Sequence, residues 1–232
     1  DGLGLISYHD VTNGNLKVAH CSNRACTSAT LTTLDDTGDV GHYTSVTIGA
    51  ERLSLISYHD VTNRSLKVAH CSNQACPSAT LTTLDNTGEV GQSTSVTIGT
   101  DGLGLISYYD VTNRNLKVAH CSNQACTSAT LATLDDTGDV GQDTAVTIGA
   151  DGLGLISYHD VTNGNLKVAH CSNQACTSAT LTALDDTGEV GQDTSVTIGA
   201  DRLGLISYYD ATNGNLKVAH CANRACTAAT LT

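Results

Sequence analysis

Three observations predict an all-β fold built from tandem four-stranded antiparallel meanders. A 50-residue unit beginning at Asp1 recurs with few changes from Glu51, Asp101 and Asp151, and in shortened form from Asp201. Within each unit the apolar residues alternate with a period of two, and no stretch carries a helical period. Runs of Asp, Asn, Thr and Gly separate the alternating segments at short intervals. A fixed period of this size marks a supersecondary module that buries its apolar face against its neighbours. The expectation is one repeat domain over 1–232, divided as 1–50, 51–100, 101–150, 151–200 and a truncated 201–232. Its architecture is β-propeller-like with about five repeats, the alternative being an open or continuous linear β-repeat array.

The elements follow in order along the first unit. Leu3, Leu5 and Ser7 alternate with Gly4, Ile6 and Tyr8, which predicts a first strand with Tyr8 in the core. Leu16, Val18 and His20 against Lys17, Ala19 and Cys21 predict a second. The third runs through Ala29, Leu31 and Thr33, and the fourth through Thr44, Val46 and Ile48. Asp10 to Asn15 joins the first two strands. Its Asn-Gly signals a hairpin, but Arg64 and Arg114 replace that glycine in two units, so a type I turn followed by a left-handed residue fits better than a strict I′ turn. The VTIG strand occurs four times, at Val46, Val96, Val146 and Val196, and the other three occur five times, so one sheet has three strands unless another copy supplies the fourth. With an Asp first and no Met anywhere, both ends read as cuts in a longer array.

Composition narrows the function classes. The net charge is −12 with only 11 Lys and Arg, which argues against nucleic acid and against anionic membrane surfaces. No run approaches the roughly 18 apolar residues of a membrane span. Without Phe, Trp or Met, the core has to come from Leu, Ile, Val, Ala and eight Tyr.

Ten cysteines fall in five pairs of one spacing: Cys21/Cys26, Cys71/Cys76, Cys121/Cys126, Cys171/Cys176 and Cys221/Cys226. Even count and local spacing predict disulfides and an extracellular or cell-surface location. The competing zinc reading takes His20 and its copies as third ligands but lacks a fourth.

Candidate sites are sparse. Asp35, Asp36 and Asp39 in LDDTGD could offer oxygens to Ca2+, the only cofactor the sequence suggests, though a backbone-satisfying turn accounts for them as well. Tyr8 and its copies, with Tyr109, Tyr209, Asp10 and Asn13, could bind glycans, a weak site gaining strength by repetition. Asn63-Arg64-Ser65 is a glycosylation sequon. Lys17 could pair with an Asp of a neighbouring unit. Ser7 lies on a strand rather than on a sharp elbow, and no GxSxG occurs.

GLISYHDVTNGNLKVAHCSN, followed after two residues by Cys26, resembles the ISYYD…LKVAHC repeats of secreted bacterial propeller-like proteins, and the resemblance covers the whole chain. It implies an extracellular all-β protein and assigns no catalytic residue. Together these readings predict a non-enzymatic structural component of a surface filament, appendage or matrix, self-associating through terminal edge strands. The alternative is a secreted multivalent glycan-binding propeller. An enzyme would require substitutions confined to one unit, such as His42-Tyr43, to line a pocket.

Overall fold

The computed structural model describes residues 2–232 and is all-β; Asp1 lies outside the described residues. The first unit gives β1 (Leu5–Asp10), β2 (Asn15–Cys21), β3 (Ala29–Asp35) and β4 (Val40–Ile48). The second gives β5 (Ser54–Asp60), β6 (Ser65–Cys71), β7 (Ala79–Asp85) and β8 (Val90–Ile98). β9 (Gly104–Asp110), β10 (Asn115–Cys121), β11 (Ala129–Asp135) and β12 (Val140–Ile148) follow. Then come β13 (Gly154–Asp160), β14 (Asn165–Cys171), β15 (Ala179–Asp185) and β16 (Val190–Ile198), and last β17 (Gly204–Asp210), β18 (Asn215–Cys221) and β19 (Ala229–Leu231).

These strands form five antiparallel sheets that are out of phase with the sequence units. The first contains β1-β2-β3; the others are β4 to β7, β8 to β11, β12 to β15 and β16 to β19. The fourth strand of a unit thus pairs with the first strand of the next, Val46 facing Ile56 and Ile48 facing Ser54. Connection geometry explains the offset. Gly49 N–H donates to Leu53 O at 2.7 Å and Arg52 N–H to Gly49 O at 2.9 Å, a tight reversal that keeps β4 and β5 together. The Asp36 to Asp39 loop instead carries the chain from one sheet to its neighbour. Unit boundaries drawn at 50, 100, 150 and 200 therefore cut through sheets, and the first sheet is the three-stranded one.

The β1–β2 turn adopts the left-handed residue at its fourth position, whatever stands there: φ is 70° at Gly14, 55° at Arg64 and 60° at Arg114. Gly14 N–H donates to Asp10 O at 2.8 Å.

Successive sheets pack face to face, and each apolar cluster draws on two of them. Leu16 and Val18 of the first sheet meet Val40, Ile56, Tyr58, Ala69 and Cys71 of the second in the first such cluster. Burying a Leu or Ile here contributes roughly 2 kcal/mol. The approach is close because Gly41 and its copies carry no Cβ: at Gly141, with φ +95°, a Cβ would sit 2.6 Å from Leu116 Cα. Cys21–Cys26, Cys71–Cys76, Cys121–Cys126, Cys171–Cys176 and Cys221–Cys226 are all disulfides, with Cα separations of 4.8 to 4.9 Å. No free cysteine remains, so the zinc reading that used them does not hold.

The series of sheets leaves two faces uncovered. Leu216 is 76% exposed where Leu116 is fully buried, and Ile6 is 52% exposed where Ile106 is fully buried. β1 is hydrogen-bonded only to β2 within its sheet.

Candidate functional site

Most polar residues singled out above are used by the fold. Tyr58, Tyr108, Tyr158 and Tyr208 are fully buried, and each hydroxyl donates to an aspartate that ends a strand of the preceding unit. The Tyr58 hydroxyl donates a hydrogen bond to Asp35 Oδ2 at 2.8 Å, and Lys67 Nζ donates to the same oxygen at 2.5 Å. Asp35 Oδ1 accepts from the amide and hydroxyl of Thr37, which makes LDDTGD an Asx-type turn. With all these partners Asp35 is anchored in the fold, and it does not converge with Asp36 and Asp39. For Asp85, burial would raise the pKa, but the hydrogen bonds from Lys117, Thr87 and Tyr108 outweigh it and hold the carboxyl at about 2. Lys17 has Asp10 in its own unit, at 3.4 Å, as its ion-pair partner.

Of the glycan candidates, Tyr8 is half-buried and Tyr209 is 39% exposed, while the polar residues beside Tyr8 are engaged in their own turn. Asn13 Nδ2 donates to Asp10 Oδ2 at 2.9 Å and Thr12 N–H to Asp10 Oδ1, closing the turn on itself. The fully buried tyrosine copies present no ring face to a sugar. Tyr109 is nearly buried, and its hydroxyl donates to Asp139 Oδ1 at 2.7 Å; burial first, then that bond, pushes its pKa up to about 12. Asn63 lies on an exposed turn, its side-chain amide donated to Asp60 Oδ2.

What the molecule does build is a cavity where the inner strands of four successive sheets converge, the line through it being the axis of the sheet series. It measures about 320 Å3 and is lined by Tyr43, Thr44, Ser93, Thr94, Asp143, Thr144, Asp193 and Thr194. These are the same two positions of four successive units, carried by the inner strands β4, β8, β12 and β16. A bulge explains how they reach it. Pairing with the neighbouring strand skips between Val40 and His42 and again before Ser45, and the residue between is left-handed: φ is 52° at Tyr43, 51° at Ser93, 51° at Asp143 and 49° at Asp193. Bulges of this kind re-aim a side chain out of the alternating pattern. A non-glycine residue held in that region four times over is a local cost that the fold sustains.

The threonines secure the walls. Thr94, Thr144 and Thr194 donate to Ser57, Ser107 and Ser157 at 2.8 to 3.0 Å. Asp193 N–H donates to Asp143 Oδ2 at 3.1 Å, so two carboxylate residues are neighbours on the lip. Tyr43, 52% exposed, offers an aromatic wall. A second cavity, of about 290 Å3, is lined by Gly2, Leu3, Leu5, Ile48, Arg52 and Gln74 and has no carboxylate.

The lining carries a signal present in the sequence. At the position of Tyr43 the four units read Tyr, Ser, Asp and Asp, the only column of the repeat with three identities; every other column holds at most two. The repeat is least uniform where its copies meet around one axis.

No family model and no curated protein matches the chain. Solved structures do. A GH43 β-1,3-galactosidase aligns with a TM-score of 0.61 at 10% identity, over 94% of this chain and 54% of its own. An exo-β-1,3-galactanase from Phanerochaete chrysosporium aligns at 0.58 and 10%, over 100% and 66%. The NanB sialidase from Streptococcus pneumoniae aligns at 0.61 and 11%, over 87% and 34%. The chain thus spans about half the galactosidase and a third of the sialidase. At these identities the likeness is one of fold, a β-propeller type.

This likeness corrects the functional expectation. The non-enzymatic filament or matrix reading, and its lectin alternative, assumed that near-identical units leave no asymmetric pocket. The chain instead has a β-propeller-type fold that solved glycan-processing enzymes also have, and one column of the repeat brings three different residue types, Tyr43, Ser93 and the pair Asp143 and Asp193, to one pocket. Five disulfides fit an oxidising, extracellular compartment. Among the described residues no helix is long and apolar enough to cross a membrane.

Proposed function

We propose that the protein is a glycan-processing enzyme that hydrolyses glycosidic bonds in its axial cavity. The observation that carries the reading is the carboxylate pair Asp143 and Asp193 on the lip of a pocket whose other positions are Tyr43 and Ser93. Glycoside hydrolysis needs two carboxyl groups beside the scissile bond: one protonates the leaving oxygen, and the other activates water or attacks the sugar carbon. Tyr43 supplies an apolar face for a sugar ring, and the hydroxyl of Ser93 supplies a directed polar group. The fold neighbours named as galactanase, galactosidase and sialidase set the substrate classes to try first.

The test is product release from β-1,3-galacto-oligosaccharides and sialyllactose, comparing the wild type with Asp143→Asn and Asp193→Asn. Hydrolysis that falls at least about 100-fold in either variant, with an unchanged melting temperature, supports the reading. No hydrolysis across the panel, or equal rates in all three proteins, overturns it.

A further inference from the structure

We propose that His9, Asp39 and His42 form a binding site for one borderline divalent transition ion of the zinc class. Their donor atoms all lie within 4.8 Å of one another, the one such group of three among the described residues. His42 Nε2–H donates to Asp39 Oδ1 at 2.9 Å, so His42 gives up that hydrogen when the ion binds, and His9 Nε2 lies 3.7 Å from the same carboxylate oxygen. An ion about 2.1 Å from each donor requires donors roughly 3.0 to 3.5 Å apart, so a small adjustment of one ring completes the set.

The surroundings prepare these atoms for a cation. His9 Nδ1 lies 2.9 Å from Val40 O. A carbonyl only accepts, so Nδ1 carries the hydrogen and the Nε2 lone pair points to the other side of the ring. That is how a ligating histidine is held: its second nitrogen is tied to a backbone carbonyl. In neutral His9 this lone pair faces the Asp39 carboxylate, an arrangement that a cation between them turns from repulsive to favourable. Asp39 is fixed through its backbone, its N–H donating to Thr62 Oγ1 at 2.8 Å and its carbonyl accepting from Val61 N–H at 2.9 Å. The two rings lie 3.9 Å apart centre to centre. Asp39 is about half exposed, which leaves an entry path and an open coordination position. Two imidazoles and one carboxylate are a donor set for Zn2+ or a similar ion, and every cysteine is withdrawn in a disulfide.

The site occurs once. Where the first unit has His42, the others have Gln92, Gln142 and Gln192. Tyr109 and His159 meet Asp139 and Glu189 in the same relation, at 2.7 and 3.3 Å, but without the second imidazole. The repeat therefore provides its own control: His42→Gln installs the residue that three other units already tolerate. This inference does not depend on the hydrolase reading, and its readout is metal binding.

Calorimetric titration of the intact protein with ZnCl2, with Co2+ absorption as a second probe, tests it. One saturable Zn2+ per chain is expected, weakened about 100-fold or more in His42→Gln and in His9→Gln, with metal-free melting temperatures unchanged in His42→Gln. The outlying pairs His70–Glu51, His120–Asp101 and His170–Asp151 stay intact in both variants, so binding through them is equal in all three proteins. No saturable 1:1 binding by the wild type, or 1:1 binding unchanged in His42→Gln, overturns the proposal.

Discussion

Lys117 of β10 donates to Asp85 Oδ2 at 2.6 Å, tying the third unit to the end of the last strand of the sheet before it. Tyr108 donates to the same oxygen at 2.7 Å, and the Lys117 ammonium lies 5.6 Å from the centre of the Tyr108 ring. The Asp85 side chain is wholly inaccessible. Removing one member leaves a buried charge unpaired, which costs about 3 to 5 kcal/mol. Lys117→Met should destabilise the protein by that amount in urea, whereas Lys17→Met, whose lysine has only the Asp10 contact, should cost less than about 1 kcal/mol.

The same networks set an acid limit. Asp35, Asp85, Asp135 and Asp185 are all depressed below the usual carboxylate range, the bonds from Lys, Thr and Tyr outweighing burial, and Asp85 and Asp185 reach about 2. A folded-state pKa below the unfolded one gives stability that is fully present above about pH 5 and is lost as pH falls through the folded value. Each of Asp85 and Asp185 contributes roughly 2 kcal/mol in this way. Melting temperature followed from pH 6 to pH 2 should hold steady and then drop steeply below about pH 4. A midpoint that does not change with pH across that range would refute the coupling.

Gly141 is required twice over, by its left-handed backbone and by the Leu116 backbone pressed against it. Gly141→Ala should cost about 3 kcal/mol, combining strain with overpacking. Gly2→Ala meets nothing within 4 Å and should cost no more than about 1 kcal/mol, for its positive φ alone.

The unpaired edge of β1, beside the exposed Ile6, predicts strand capture. A peptide with the sequence of residues 190–199 should bind it, because the equivalent strand of each other sheet makes that pairing. Fluorescence anisotropy should show saturable binding that a scrambled peptide lacks. Self-association by the same edge should appear in sedimentation as a concentration-dependent mass that the peptide suppresses.

The sheet-forming segments, the turn at position 14 and the disulfides were legible because each is written locally, in alternation, in Asn-Gly spacing and in cysteine spacing. The phase of the sheets was not, since it depends on which of two loops is tight enough to keep a hairpin together. The axial site stayed hidden for a related reason. Period-two alternation assigns Tyr43 to one face of a strand, and only the bulge around it turns that residue, with Ser93, Asp143 and Asp193, toward a common centre. Substitutions in one column were visible; that the column converges was not. Asp39 is a similar case: the turn it belongs to was recognised, but His9 comes to it from 30 residues away, across the packing of two sheets.

On the hydrolase proposal, function resides once, on the axis, rather than once per unit. Binding stoichiometry of β-1,3-galactotriose to the purified chain tests this most directly, measured by calorimetry on Asp193→Asn if the wild type turns the sugar over. One site per chain, lost when Tyr43→Ala and Asp143→Asn are combined, is the predicted result. Four or five equivalent sites, or a single site indifferent to those substitutions, would contradict it.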